Sequence, residues 1–179
     1  LEKDCLSYMS INQKPVKSSR VFLGRIHDVN VDRLADYFGV KKDYYKEVEL
    51  NEQLLPVLSF NNKVFFSSGI PENQIDHTVE LRMFESFEEA YHQLMIDLTS
   101  LCKESIDLII PGSDNIDALY VSGGFARSDL FVRFLASRYP DKQVYTTEID
   151  NSTALGAAYM VYGEFSDSSM PDIDLGFRE

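Results

Sequence analysis

An α/β fold, with a mixed sheet flanked by helices, is predicted by three features of the sequence. Residues 85–163 alternate helix, strand, helix, strand, helix, a pattern that implies parallel strand pairing within an α/β layer. Leu119, Tyr120 and Val121 form a short apolar strand signal that runs directly into Gly123 and Gly124 and then into a helix start. With 44% hydrophobic and 12% aromatic residues in 179, the chain has the material for the core of one domain of ordinary size.

Taken in order, residues 5–11 alternate loosely as a strand. Asn12-Gln13-Lys14-Pro15 reads as a turn, and 16–23 as the returning strand. Val31, Leu34, Ala35 and Phe38 then fall at i, i+3, i+4 and i+7 on one helical face. Asp28 is placed to cap that helix and Gly39 to stop it. Asp28 and Asp32, one turn apart, read as a solvated face rather than a catalytic pair. Residues 41–52 predict a short exposed helix with Tyr44, Tyr45 and Val48 turned inward. Residues 56–60 and 63–67, joined by Asn61-Asn62, predict a hairpin, because Asn tolerates the positive φ of a tight turn. Residues 69–79 are polar and loop-like, and no internal repeat is present.

The longest helix signal covers about 86–109. Phe87, Ala90, Tyr91, Leu94, Leu98, Leu101 and Cys102 track one face, Ser86 with Glu89 makes a capping box, and Pro111-Gly112 ends it. A stripe of this kind reads as core rather than cofactor contact. After the strand and glycine pair, Ser128 is a good cap and Asp129 places a negative charge in the first turn of a helix over 128–139. That helix buries Leu130, Phe131, Phe134 and Leu135 and ends at Pro140-Asp141. A strand over 144–149 follows, and a last helix starts near Asn151 or Ser152. Its Ala154, Gly156, Ala157 and Ala158 form a small-residue face for close packing. The acidic tail 164–179, with Pro171 and Gly176, is expected to dock loosely.

Charge narrows the partners. Seventeen basic against twenty-nine acidic residues leave −12, a surface that repels phosphate backbones and anionic lipid, so neither nucleic acid nor membrane is expected. No apolar run approaches the roughly 20 residues that span a bilayer, and the first residues form no signal peptide. Cys5 and Cys102 lie far apart without metal-ligand spacing and read as reduced thiols of a cytoplasmic protein. The missing initiator methionine suggests a piece of a longer protein; a homodimer is left open. His27, His77 and His92 are scattered, with His92 read as a surface residue. Asp107, Asp114 and Asp117 lie near the glycine pair in sequence; Asp114 reads as a turn former and Asp117 as a strand-edge residue. Neither a catalytic nor a metal-binding residue is assigned.

The run Val121-Ser122-Gly123-Gly124-Phe125-Ala126-Arg127-Ser128, followed by Thr153-Ala154-Leu155-Gly156-Ala157-Ala158, resembles the C-terminal domain of the FGGY carbohydrate kinases. These are members of the actin-like ATPase superfamily, with a ribonuclease H-like fold. The resemblance is clearest over 87–162 and implies that 1–179 is one C-terminal domain with its best-supported core at 85–163. It further implies that the glycine turn is an adenosine motif. Gly124 and Ser128 would lie beside the adenine and ribose of ATP, and Gly123, Phe125 and Ala126 would shape the turn. In such enzymes the sugar site, the catalytic aspartate and most phosphate contacts belong to an N-terminal domain, expected upstream of Leu1. ATP and Mg²⁺ would then be bound mainly by the intact two-domain enzyme, and the sugar through the missing domain. This chain alone is expected to be inactive. Asn151 stands where family members usually carry an acid, the nearest acids being Glu148 and Asp150. The Tyr91 helix and the motif spacing resemble rhamnulokinase-like enzymes acting on deoxyketoses. Two alternatives are another actin-like ATPase, of chaperone or scaffold type, and a non-catalytic assembly module.

Overall fold

A computed structural model of the chain describes residues 5–10, 12–61, 64–66, 70, 73–110, 116–147, 149, 151–166, 169, 171–174 and 176–178. Asp114, Glu148, Asp150 and the Pro111-Gly112 breaker lie outside them. The first hairpin forms as expected. β1 (Cys5–Met9) pairs antiparallel with β2 (Pro15–Ser19), Cys5 opposite Ser19 and Met9 opposite Pro15. Gln13 takes the positive φ, 55°, that its turn requires. Ser19 Oγ donates to the Ser105 carbonyl at 2.6 Å and accepts from Ser105 Oγ at 2.9 Å, which ties the hairpin to the far end of the long helix.

α1 (Leu23–Phe38) begins earlier than the sequence suggests. Leu23, Ile26, His27 and Asn30 extend the buried stripe of Val31 and Leu34 backwards, so Asp28 is an exposed mid-helix residue and not the cap. The C-terminal expectation holds: Gly39 adopts φ 68° and closes the helix. Residues 44–47 form a single 3₁₀ turn whose Tyr44 and Tyr45, with Val48 beyond it, pack against the core.

The hairpin expected over 56–67 is not formed; its turn residue Asn62 lies outside the described residues. Leu54–Asn61 is instead a helix, α2. Leu54, Leu55 and Leu58 share one helical face, and Pro56 sits in the first turn, where a missing N–H breaks no intrahelical bond. The local apolar run served helix and strand equally well, and packing of Leu55 and Leu58 selected the helix.

α3 (Phe87–Asp107) is the central element, with α1 on one side and α4 (Asp129–Ser137) on another. Ser86 Oγ accepts from the Glu89 N–H at 3.1 Å, while Glu89 Oε2 reaches back to the Glu85 N–H at 2.7 Å, one residue beyond the expected capping box. Ile26, Leu34, Leu94, Met95, Leu98, Phe131 and Leu135 meet in the core. β3 (Ala118–Val121) pairs in parallel with β4 (Gln143–Thr146), Ala118 opposite Gln143 and Val121 opposite Thr146, with α4 as the crossover. The mixed α/β character therefore holds. The strands form two separate two-stranded ladders among the described residues rather than one mixed sheet. The tail is more firmly placed than expected: Arg178 bridges antiparallel to Thr146, and Phe177 packs on Tyr120 at 4.9 Å. α5 (Ser152–Phe165) has no buried residue, so its small-residue face lies bare. Among the described residues no helix is long and apolar enough to cross a membrane.

One polar knot ties the core together. Asp97 of α3 accepts from the Phe65 N–H at 2.6 Å and from Gln93 Nε2 at 2.8 Å. Arg138, beyond α4, donates to the Ile96 carbonyl at 2.8 Å and to Ser100 and Thr99 hydroxyls at 2.6 and 3.1 Å. Burial pushes the Asp97 carboxyl up to about 6, against the pull of these donors and of Arg138. A carboxyl raised above its unfolded value makes the folded state the stronger proton binder between the two values. Stability from this group is therefore highest below pH 4 and falls as pH rises through about 6, by at most about 3 kcal/mol. Asp97→Asn is expected to remove that slope from urea unfolding measured between pH 4 and 7.

Candidate functional site

The strand, the turn and the helix start are built from successive residues. Val121 ends β3, and Gly123 then takes φ 77° and ψ −153°, a region open essentially to glycine alone. Gly124–Arg127 form a 3₁₀ turn closed by the Ala126 N–H on the Gly123 carbonyl and the Ser128 N–H on the Phe125 carbonyl, both at 3.1 Å. Ser128 Oγ caps α4 by accepting from the Phe131 N–H at 3.4 Å. Inside the turn, the Phe125 ring stacks on Phe131 at 4.4 Å and meets the edge of His27 at 5.7 Å.

Gly124, Arg127, Ser128 and Asp129 thereby form one wall of a cleft of about 1010 Å³. The segment after the 3₁₀ turn at 44–47 also lines this cleft, with Val48, Glu49, Leu50 and Glu52, as do Tyr45, Lys46 and Tyr91. A smaller cavity of about 380 Å³ shares Tyr45, Tyr91, Gly124 and Ser128 with it and adds His27, Asp28 and Phe125. Of the predicted site residues, Gly124, Phe125 and Ser128 thus line these spaces. Gly123 and Ala126 line neither and shape the turn.

His27 links this turn to α1. Its Nδ1 donates to Asp28 Oδ1 at 3.0 Å, and its Nε2 lies 3.3 Å from the Tyr91 hydroxyl. Burial, helped by neighbouring Tyr45, holds the Tyr91 phenol well above the ordinary tyrosine range against a hydrogen bond from Ser128, so Tyr91 is a neutral hydroxyl. The arrangement offers a flat glycine surface, aromatic rings, helix-start hydroxyl chemistry and charges of both signs. These are groups that bind a planar polar ligand.

Sequence reasoning missed Tyr45, Lys46 and Glu49, whose charged, tyrosine-rich run read only as an exposed helix. It also missed His27 and assigned Tyr91 to the core alone; Tyr91 is buried there and lines the cleft as well. His92 is corrected: it is not a surface residue but 0% exposed. Its apolar neighbours on α3 placed it on the inner face, where backbone groups satisfy both ring nitrogens. His77 is exposed beside Asn73. Asp107 accepts from the Tyr139 hydroxyl at 2.9 Å and pairs with Lys103, and the Asp117 carbonyl accepts from the Gln143 N–H at 2.8 Å, so both do structural work. Asn151 precedes α5 without a side-chain capping bond. From the second sequence motif, Leu155 and Gly156, with Ser152 just before it, line another groove of about 700 Å³ with Ile173 and Phe177. Among the described residues no group of three or more His, Cys, Asp or Glu is placed to hold a metal ion.

No protein-family model matches the sequence, and no curated protein matches it. The fold is similar to the crystal structure of a carbohydrate kinase from Novosphingobium aromaticivorans. The TM-score is 0.61 and the identity 24%, over 90% of this chain and 34% of that one. The chain therefore spans about a third of the length of that neighbour.

Proposed function

We propose that this chain is the adenosine-holding lobe of an ATP-dependent carbohydrate kinase of the FGGY kind. The observation that carries the reading is the position of Gly124 and Ser128, side by side at a strand–turn–helix junction on the wall of a cleft. The likeness in fold to a carbohydrate kinase supports it. The adenine lies against Gly124, where an added Cβ would meet nothing within 4 Å, so the backbone leaves a flat ring room to approach. Ser128, at the start of α4, faces the ribose. Phosphoryl transfer to a sugar hydroxyl needs a carboxylate base, Mg²⁺ on the phosphates and donors around them. Those groups belong to the remainder of a longer enzyme, and closure of the two lobes brings them onto ATP. The acceptor is a ketose or polyol, with a deoxyketose favoured by the likeness of the Tyr91 helix to rhamnulokinase-like sequences.

Calorimetry with ATP on the full-length protein, followed by a thermal-shift screen against ketoses, deoxyketoses and polyols, tests the reading. ATP binding and a sugar that raises the melting temperature and is phosphorylated are the expected results. ATP hydrolysis indifferent to every sugar would point to another actin-like ATPase, and absence of ATP binding would sink both. The 179-residue chain by itself is expected to show no sugar-dependent ATP consumption.

A further inference from the structure

The 48–52 part of the cleft lining is held by one face of α3. Residues 48–50 have no regular secondary structure of their own, yet Val48, Glu49, Leu50 and Glu52 line the cleft. Beside the packing of Val48 and Leu50 on the core, two hydrogen bonds tie the stretch to α3. The Tyr44 hydroxyl donates to Glu88 Oε1, and the Asn51 N–H donates to His92 Nε2 at 2.9 Å. Glu88 and His92 are four residues apart on α3, hence neighbours on one face.

The second contact constrains the histidine fully. His92 Nδ1 lies 2.8 Å from the Glu88 carbonyl, which can only accept, so Nδ1 carries the proton. Nε2 is then a lone pair, the group that the Asn51 N–H needs. Burial lowers the pKa of the ring, which keeps it neutral and in this tautomer at physiological pH. The Phe134 ring packs edge-on against it at 6.3 Å.

We infer that His92 is a positioning residue of the cleft: through the Asn51 N–H it sets where the 48–52 wall stands in the cleft that Gly124 also lines. The inference rests on the nucleotide reading of the cleft only for its functional consequence, since the wall itself can be observed without ligand.

Two conservative variants separate positioning from mere packing. Gln can place an acceptor oxygen near the position of Nε2, whereas Asn reproduces only the Nδ1 side. In the full-length protein, His92→Asn is expected to speed amide hydrogen exchange of peptides over 48–52 and to raise the ATP Kd about five- to tenfold. His92→Gln is expected to restore both to within about twofold. Asn51→Pro, at an exposed position, removes the donor together with the Asn51 Oδ1 that accepts from the Gln53 N–H, and should reproduce the His92→Asn result at least in full. Adding His92→Asn to Asn51→Pro should weaken binding no further than Asn51→Pro alone, because the histidine contact is already broken there. Exchange over 48–52 unchanged in His92→Asn and in Asn51→Pro overturns the inference, as does a His92→Gln protein that behaves like His92→Asn. If the wild type binds no ATP, the nucleotide reading falls and the exchange measurements still decide whether His92 positions the wall.

Discussion

Valine at position 124 is expected to weaken ATP binding by the full-length protein at least about tenfold while changing its unfolding free energy by less than about 1 kcal/mol. The separation of the two effects comes from the backbone. Gly124 begins the 3₁₀ turn without a positive φ, and a Cβ added there meets nothing within 4 Å, so the free protein accommodates a side chain. Its cost falls on whatever occupies the cleft. Gly123, one residue earlier, gives the opposite pattern. A Cβ there also meets nothing within 4 Å, but φ 77° with ψ −153° is a conformation side chains avoid. Gly123→Ala should therefore destabilise by about 1–3 kcal/mol before any ligand is added. Calorimetric titration and urea unfolding of both variants, side by side, check the pair. Unchanged ATP affinity in Gly124→Val would move the base away from the glycine turn.

The parts of this site that were legible in the sequence are those made by near neighbours in the chain. Val121, Gly123 and Ser128 encode a strand end, a glycine-only turn and a helix cap within eight residues, and each conformation follows from local chemistry. The same holds for Gly39 at the end of α1 and Ser86 at the start of α3. The 48–52 wall was not legible. Leu50 and Glu52 line one cleft with Arg127 and Ser128, residues far away in the chain, and their segment is held to α3 through His92. A histidine on an otherwise apolar face carries no mark in the sequence that says which backbone N–H it will meet. The helix at 54–61 was misread for a related reason. Asn61-Asn62 is a good turn signal, and a short apolar run has no period long enough to oppose it. Burial of Leu58, with Leu55 packed on the core, decided the matter.

Phe131→Ala is expected to have the largest effect on stability, about 3–5 kcal/mol in urea unfolding. Phe131 is 2% exposed, on the face of α4 that packs on α3, and its N–H holds the Ser128 cap. Its ring is also the platform on which Phe125 stacks, and Phe125 in turn presses on His27 from inside the glycine turn. Removing the ring opens a cavity beneath Gly124, so ATP affinity should fall together with stability. Gly124→Val, by contrast, should lose affinity alone. Phe165→Ala supplies the reference for a phenylalanine without such support: at 86% exposed on α5, it should change stability by less than about 0.5 kcal/mol. A Phe131→Ala protein that keeps wild-type ATP affinity under conditions where it remains folded would show that the turn holds its shape without the stacked pair. The shape of this cleft wall would then depend on the Gly123 backbone and the Ser128 cap, and the aromatic layer of Phe125 and Phe131 would serve the core only.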